Sequence, residues 1–294
     1  MKDIIFRGAG VAIITPFNET GINFAEFGRI IDDQIAGGTD AIVAAGTTGE
    51  SATLSDEEHR AVVKFAVDHV KGRVPVIAGA GSNETAYAAE LAKHAESAGA
   101  DAILAVTPYY NKCTQKGLVK HYTAIADAVN IPLIVYNVPS RTGVNIAPET
   151  YAALAEHPRI NAAKEASGNI SAVVKMQKLC GDKLNLYSGN DDQIVPILSL
   201  GGLGVISVLS NVAPRAVHDI CENFFAGRTD AAAKMQIDCS DLIDALFCEV
   251  NPIPVKAAME LLGYKTGGLR MPLTDMEPQN LEKLKAAMKA HGLI

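Results

Sequence analysis

Lys164 is the residue in this chain best placed to do covalent chemistry. It ends a short run of small and apolar residues, Ile160-Asn161-Ala162-Ala163-Lys164, and Glu165-Ala166-Ser167-Gly168 follows. Such a run reads as a buried strand of a parallel sheet closed by a turn. An ammonium held at the rim of an apolar core is poorly solvated, so its pKa falls and the neutral amine, which attacks carbonyl carbons, is favoured. Alternatively, the side chain snorkels to water and is chemically idle. Glu165 follows directly, points to the other side of the strand and takes no direct part in chemistry.

Other candidates cluster at equivalent places along the chain. A Gly46-Thr47-Thr48-Gly49 turn offers backbone N–H groups and hydroxyls to a carboxylate, Tyr109, Tyr110 and Tyr136 offer hydroxyls for proton relay, and Arg141 offers a fork for a second carboxylate. Singly, each has a plain structural explanation, as turn satisfaction, rim packing or a solvated loop residue. Jointly they describe a lysine nucleophile with acid–base and anion-binding support.

Positioning these groups requires a scaffold that brings distant segments together. Eight apolar runs serve as strands: 10–16, 40–45, 74–78, 102–106, 132–136, 160–164, 184–188 and 204–208. They alternate with helical segments at roughly 20- to 35-residue intervals, which predicts an α/β fold, a (β/α)8 TIM barrel whose chemistry sits at the carboxyl ends of the strands. Ser55-Asp56-Glu57-Glu58 is a capping box opening one helix. From about Thr229 strands give way to three helical stretches, near 229–248, 254–263 and 277–291. The expected organisation is a catalytic barrel over 1–226 and a helical appendage over 227–294.

A net charge of −7 without a basic stripe argues against nucleic acid or an anionic membrane as partner. Five scattered cysteines without a C-x-x-C pair read as reduced thiols, the amino-terminal residues lack signal-peptide features, and no run is long enough to span a membrane; a cytoplasmic protein is expected. Gly79-Ala80-Gly81-Ser82-Asn83-Glu84 begins like a dinucleotide fingerprint, but Glu84 stands where the third glycine belongs. Asp191 and Asp192 in the loop after the seventh strand oppose a phosphate site there. The seven histidines lack metal-ligand spacing, so no metal is expected.

Gly46-Thr47-Thr48-Gly49-Glu50, Tyr136-Asn137-Val138-Pro139-Ser140-Arg141-Thr142-Gly143, Lys164-Glu165-Ala166-Ser167-Gly168 and Gly189-Asn190-Asp191 resemble the signatures of the dihydrodipicolinate synthase family. That family belongs to the pyruvate-dependent class I aldolases, which include N-acetylneuraminate lyase. The likeness runs through the tail, in Asn251-Pro252-Ile253-Pro254-Val255-Lys256 and Leu269-Arg270-Met271-Pro272. Arg141 favours the synthases over the sialic acid lyases.

The resemblance implies condensation of pyruvate with aspartate semialdehyde, in lysine and diaminopimelate synthesis. Lys164 would form the Schiff base; Thr47, Tyr136 and Tyr110, the last from an adjacent subunit, would relay protons. Thr48 would help hold the pyruvate carboxylate, Arg141 would grip the semialdehyde, and Gly189 and Ile206 would line the site. No metal or dissociable cofactor is implied, and the assembly would be a homotetramer.

Ser51, Ala52, His59, Asn83 and Tyr109 match a cleft where lysine inhibits many relatives. Tyr87 departs from the acidic residue usual there, and Asp56 from a histidine, so weak or absent lysine feedback is expected. Two rival readings are a retro-aldol lyase acting on a 2-keto-3-deoxy sugar acid and a non-catalytic barrel that senses or stores a keto acid.

Overall fold

Short runs of small and β-branched residues bounded by polar turns form the strands of a closed parallel barrel in a computed structural model describing residues 2–294. Met1, the first residue of the amino-terminal segment read above, lies outside the described residues. The barrel strands are β1 (Gly8–Ala12), β2 (Ala41–Ala44), β3 (Val76–Gly79), β4 (Ala102–Val106), β5 (Leu133–Asn137), β6 (Ile160–Glu165), β7 (Asn185–Ser188) and β8 (Gly204–Ser207). Each pairs with its sequence neighbours, and β8 returns to β1 through Gly8↔Gly204. That seam needs glycine, because a Cβ on Gly204 would lie 1.9 Å from the Gly8 carbonyl oxygen.

Eight helices surround the sheet: α1 (Phe24–Ala36), α2 (Asp56–Val70), α3 (Thr85–Ala98), α4 (Gln115–Asp127), α5 (Pro148–Ala155), α6 (Ile170–Cys180), α7 (Ile194–Ser199) and α8 (Pro214–Phe225). Alternation along the strands sorts the core into two layers. Ala41, Val43, Ile134, Tyr136, Ala162 and Ile206 fill the barrel, while Ile42, Ala44, Val135 and Ala163 pack outward on the helices. The capping box at the start of α2 forms in full: Ser55 N–H donates to Glu58 Oε2 at 3.0 Å, and Glu58 N–H donates to Ser55 Oγ at 3.2 Å.

Three local departures from the sequence reading have physical causes. β1 ends at Ala12 rather than running to Pro16: Ile14 N–H donates to the Asn211 side chain instead of to a strand, and Pro16 has no N–H. Pro139–Thr142, read as loop, is one helical turn with proline in its first position. The helical stretch 229–248 is split at Cys239 into α9 (Thr229–Asp238) and α10 (Ser240–Leu246), where Asp, Cys, Ser and Asp in succession favour a turn over a helix interior. The remaining tail helices are α11 (Ile253–Leu261) and α12 (Pro278–Ala290).

Strand β6 also contains an irregularity. Leu133 pairs with Ile160, but Ile134 pairs with Ala162, leaving Asn161 as an extra residue. Ile160 packs outward and Ala162 inward, so this bulge reverses the facing of everything beyond it.

Candidate active site

The register beyond the bulge sets Lys164 directly across from Tyr136. Both point into the barrel and are nearly enclosed, at 5% and 7% exposure, with Lys164 Nζ 4.2 Å from the centre of the Tyr136 ring. Burial is the main force on the amine and pulls its pKa down to about 7; nearby Asp191 resists and the positive charge of Arg141 assists. A substantial share of the lysine is therefore the neutral nucleophile at neutral pH. Burial acts oppositely on Tyr136 and pushes its hydroxyl up to about 12, against Arg141 and with Glu165. Tyr136 is thus a standing proton donor. Gly189 keeps the amine's space open: a Cβ there would lie 3.1 Å from Lys164 Cε and 2.7 Å from Ala166 Cβ.

Thr47 and Thr48 sit on a tight turn after β2, whose Glu50 adopts a left-handed backbone at φ 55°. Two bonds from the tail hold this turn. Lys256 Nζ on α11 donates to Glu50 Oε1 at 2.7 Å, and Asn251 Nδ2 donates to Thr48 Oγ1 at 3.0 Å. Thr47, Thr48, Tyr136, Arg141, Lys164 and Gly189 line one cavity of about 170 Å³, with Phe247 and Asn251 of the tail on its wall. Arg141 is exposed at the mouth. The enclosed floor and cationic rim suit a small keto acid and a second anionic reactant.

Not every candidate reaches this cavity. Ile206 is wholly buried inside the barrel and does not line it; Val208, two residues on, does. Tyr110 also stays outside: it is 90% exposed, on a backbone with φ 68°. Ser51, Ala52, His59, Tyr87 and Tyr109 do come together, lining an adjoining cavity of about 400 Å³ that shares Thr47, Tyr136 and Arg141 with the first. Asn83 is not among its walls, and Ser82 takes that place. At this cavity's rim, Tyr87 Oη donates to Asp56 Oδ1 at 3.0 Å while Arg60 Nε holds Oδ2 at 2.7 Å, so the Asp56 carboxylate is already engaged. His59 Nε2 lies 2.8 Å from the Gly79 carbonyl oxygen, and burial lowers its pKa.

Sequence reasoning assigned no site role to two residues. Asp191 is 2% exposed; its Oδ2 accepts from the Val208 and Leu209 N–H groups at 3.0 and 2.9 Å, while Oδ1 has no partner. Burial raises its pKa, and the Ser207 hydroxyl, those two N–H groups and Lys164 oppose the rise. Its place three residues after the last residue of β7 was the available signal. Asn251 is the other, and its signal was the Asn-Pro-Ile-Pro string. Glu165, as expected, faces away from the cavity and accepts from Tyr151 Oη at 2.7 Å. Among the described residues, no group of three or more His, Cys, Asp or Glu side chains is arranged to hold a metal ion.

The Dihydrodipicolinate synthetase family model matches residues 5–291. A 4-hydroxy-tetrahydrodipicolinate synthase of Clostridium novyi (strain NT) is 53% identical over 288 residues, covering 98% of this chain and 97% of its own. Among solved structures, dihydrodipicolinate synthase from Aquifex aeolicus superimposes with a TM-score of 0.96 at 44% identity, covering 98% of this chain and 99% of its own. The enzyme from Cyanidioschyzon merolae, solved with lysine bound, also reaches 0.96, at 40% identity, covering 99% of this chain and 100% of its own. A closed barrel, an amine whose pKa burial brings down to about 7 at the carboxyl ends of its strands and this end-to-end likeness lead to one assignment: the chain belongs to the dihydrodipicolinate synthetase family.

Proposed function

We propose that the protein is a lyase-class enzyme that condenses pyruvate with L-aspartate 4-semialdehyde to 4-hydroxy-tetrahydrodipicolinate, through a Schiff base on Lys164. The observation that carries this reading is the enclosed Lys164 amine, its pKa brought down to about 7, facing Tyr136 across a small cavity. The amine attacks the keto carbon of pyruvate, and loss of water leaves an imine. Its positive form draws electrons from the neighbouring methyl group, which then gives up a proton near neutral pH. The resulting enamine attacks the aldehyde carbon, whose oxygen takes up a proton and becomes the hydroxyl. The semialdehyde's amino group then attacks the imine carbon, closing the ring as the bond to Lys164 breaks and the lysine leaves as the free amine.

The side chains divide the remaining work. Thr47 and Thr48 hold the pyruvate carboxylate on a turn whose mobility is restricted by Lys256 and Asn251. Tyr136, protonated at working pH, donates to and retrieves protons from the reacting centre, with Thr47 and Tyr110 continuing the relay. Arg141 grips the carboxylate of the semialdehyde. Tyr110, projecting from its own subunit, is suited to complete the relay in a neighbour, and a homotetramer is the assembly this supports. No dissociable cofactor or metal enters the scheme. The larger cavity corresponds to a lysine cleft in which the engaged Asp56 and the neutral Tyr87 leave little for an ammonium to bind.

Incubation with pyruvate and borohydride followed by peptide mass mapping tests the chemistry. Added mass at Lys164 is expected, and an unmodified Lys164 in otherwise active protein would remove the mechanism. Turnover with aspartate semialdehyde but not with sialic or ketodeoxy sugar acids separates the synthase from a retro-aldol lyase.

A further inference from the structure

We propose that Glu165 is the positioning residue for Lys164: its outward carboxylate locks the bulged register of β5 and β6 that turns the amine into the barrel. This inference rests on Lys164 being the nucleophile.

Simple alternation would send Ile160, Ala162 and Lys164 to one face, and Ile160 packs against the helices. Continuing the Leu133–Ile160 pairing without the extra residue would place Lys164 opposite Asn137, outside the barrel, and turn Glu165 inward. The bulge at Asn161 is therefore what makes Lys164 an active-site residue, and something must hold it. At the base, Asn161 Nδ2 donates to the Asp3 carbonyl at 2.9 Å, and Asn185 Nδ2 donates to Asn161 Oδ1 at 3.0 Å.

At the top, the hold is Glu165. Its carboxylate accepts from Tyr151 Oη on α5 at 2.7 Å, from Asn137 Nδ2 on β5 at 3.1 Å and from Ser167 N–H at 2.7 Å. Asn137 is its register partner, as Tyr136 is that of Lys164, so the two strands carry a reactive pair inside and a clamped pair outside. Asn137 is tied down in turn: its Oδ1 accepts from Ile146 N–H at 3.1 Å and its Nδ2 reaches Asn145 Oδ1 at 2.8 Å. In the slipped register the carboxylate would leave the Tyr151 and Asn137 donors and enter the barrel beside apolar side chains, taking only its local Ser167 bond with it. A carboxylate that only closed the Ser167 turn would need neither Tyr151 nor Asn137.

The test is the pH dependence of Lys164 carbamylation by cyanate, mapped by peptide mass, beside kcat/KM for pyruvate. Wild-type labelling is expected to rise through about pH 7. In Glu165→Ala the amine should lose its fixed enclosure, so the labelling profile moves up by about one pH unit or more and kcat/KM falls about 100-fold. Glu165→Gln keeps an acceptor oxygen in place and should recover activity to within about tenfold of wild type. Tyr151→Phe should shift the profile the same way by less. A folded Glu165→Ala variant with an unmoved profile and unchanged kcat/KM per trappable lysine overturns the proposal. Should that variant not fold, an unmoved profile in Tyr151→Phe overturns it instead. Failure of wild type to trap pyruvate would sink the nucleophile reading, whereas the cyanate profile reports on Glu165 regardless.

Discussion

Lys256 and Glu50 form an ion pair of 2.7 Å in which neither side chain meets water, at 2% and 0% exposure. Burial lowers the Lys256 pKa, and the Glu50 carboxylate holds it up. Glu50 belongs to the turn that presents Thr47 and Thr48, and its second oxygen accepts from Arg270 N–H at 3.0 Å. The tail thereby fastens the carboxylate-binding turn from behind.

Removing one member of this pair strands the other in an apolar setting. Lys256→Ala is therefore expected to lose about 3–5 kcal/mol of stability by denaturant titration. It should also raise KM for pyruvate more than it lowers kcat, because the turn loosens while the nucleophile is untouched. An unchanged KM would separate the pair from the site.

Burial sets the working pH of Lys164. Its folded pKa, about 7, lies below the ordinary 10.5, so between those values the unfolded chain binds more protons and stability rises with pH. Below pH 7 the folded state carries the full penalty of a buried ammonium. kcat/KM should accordingly fall about tenfold per unit below pH 7. Lys164→Met, which cannot charge, should be inactive yet more stable than wild type by roughly 1–2 kcal/mol, most clearly in mildly acidic buffer. A less stable Lys164→Met would contradict the buried-amine account.

Two charges near the amine act with opposite sign. Arg141 lowers the Lys164 pKa and Asp191 raises it. Arg141→Ala should move the acid limb of the kcat/KM profile upward and Asp191→Asn should move it downward. Arg141→Ala should also weaken use of the semialdehyde by about 10- to 100-fold, with a smaller effect on pyruvate. Initial-rate measurements across pH with each substrate varied check all three.

Tyr110 offers a test of shared sites. Tyr110→Phe and Lys164→Ala subunits, each impaired alone, should regain activity when dissociated and reassembled together. One of two sites in each mixed pair would hold both native residues, so random pairing predicts about a quarter of wild-type activity. No recovery in verified mixed assemblies would show that Tyr110 does not act across subunits, and an unimpaired Tyr110→Phe would place it outside the relay.

Lysine should inhibit weakly. Asp56 shares its carboxylate between Arg60 and Tyr87, and burial with Asp56 raises the Tyr87 pKa, leaving a neutral phenol where an ammonium would need an acid. Steady-state assays showing inhibition at low micromolar lysine would contradict this.

Much of the barrel was legible because buried parallel strands announce themselves as apolar runs: Ala102–Val106 and the alanine-rich α3 fall where pattern alone placed them. Lys164, Tyr136, Thr47 and Arg141 converge because a barrel brings strand ends together whatever their separation in sequence. Ile206 lies deep in the barrel, off the wall of the cavity, whereas Val208, beyond the strand end, reaches it. The Asn161 bulge could not be read at all, since one extra residue leaves hydrophobic content unchanged and alters only direction. Asn251 and Lys256 stand in a recognisable Asn-Pro-Ile-Pro-Val-Lys string, but their roles depend on how the tail folds back over the turn, a long-range contact the string does not specify.

The extra residue in β6 makes this strand sensitive to length as well as to composition. The neighbouring β5 and β7 span five and four residues, while β6 spans six and changes its facing midway. Many side chains there could be exchanged with modest effect, but gaining or losing a single codon between Ile160 and Lys164 would aim the amine at the helices. Single-residue insertions and deletions in this short segment should therefore be far less tolerated than substitutions, an asymmetry that deep mutational libraries limited to replacements would never reveal.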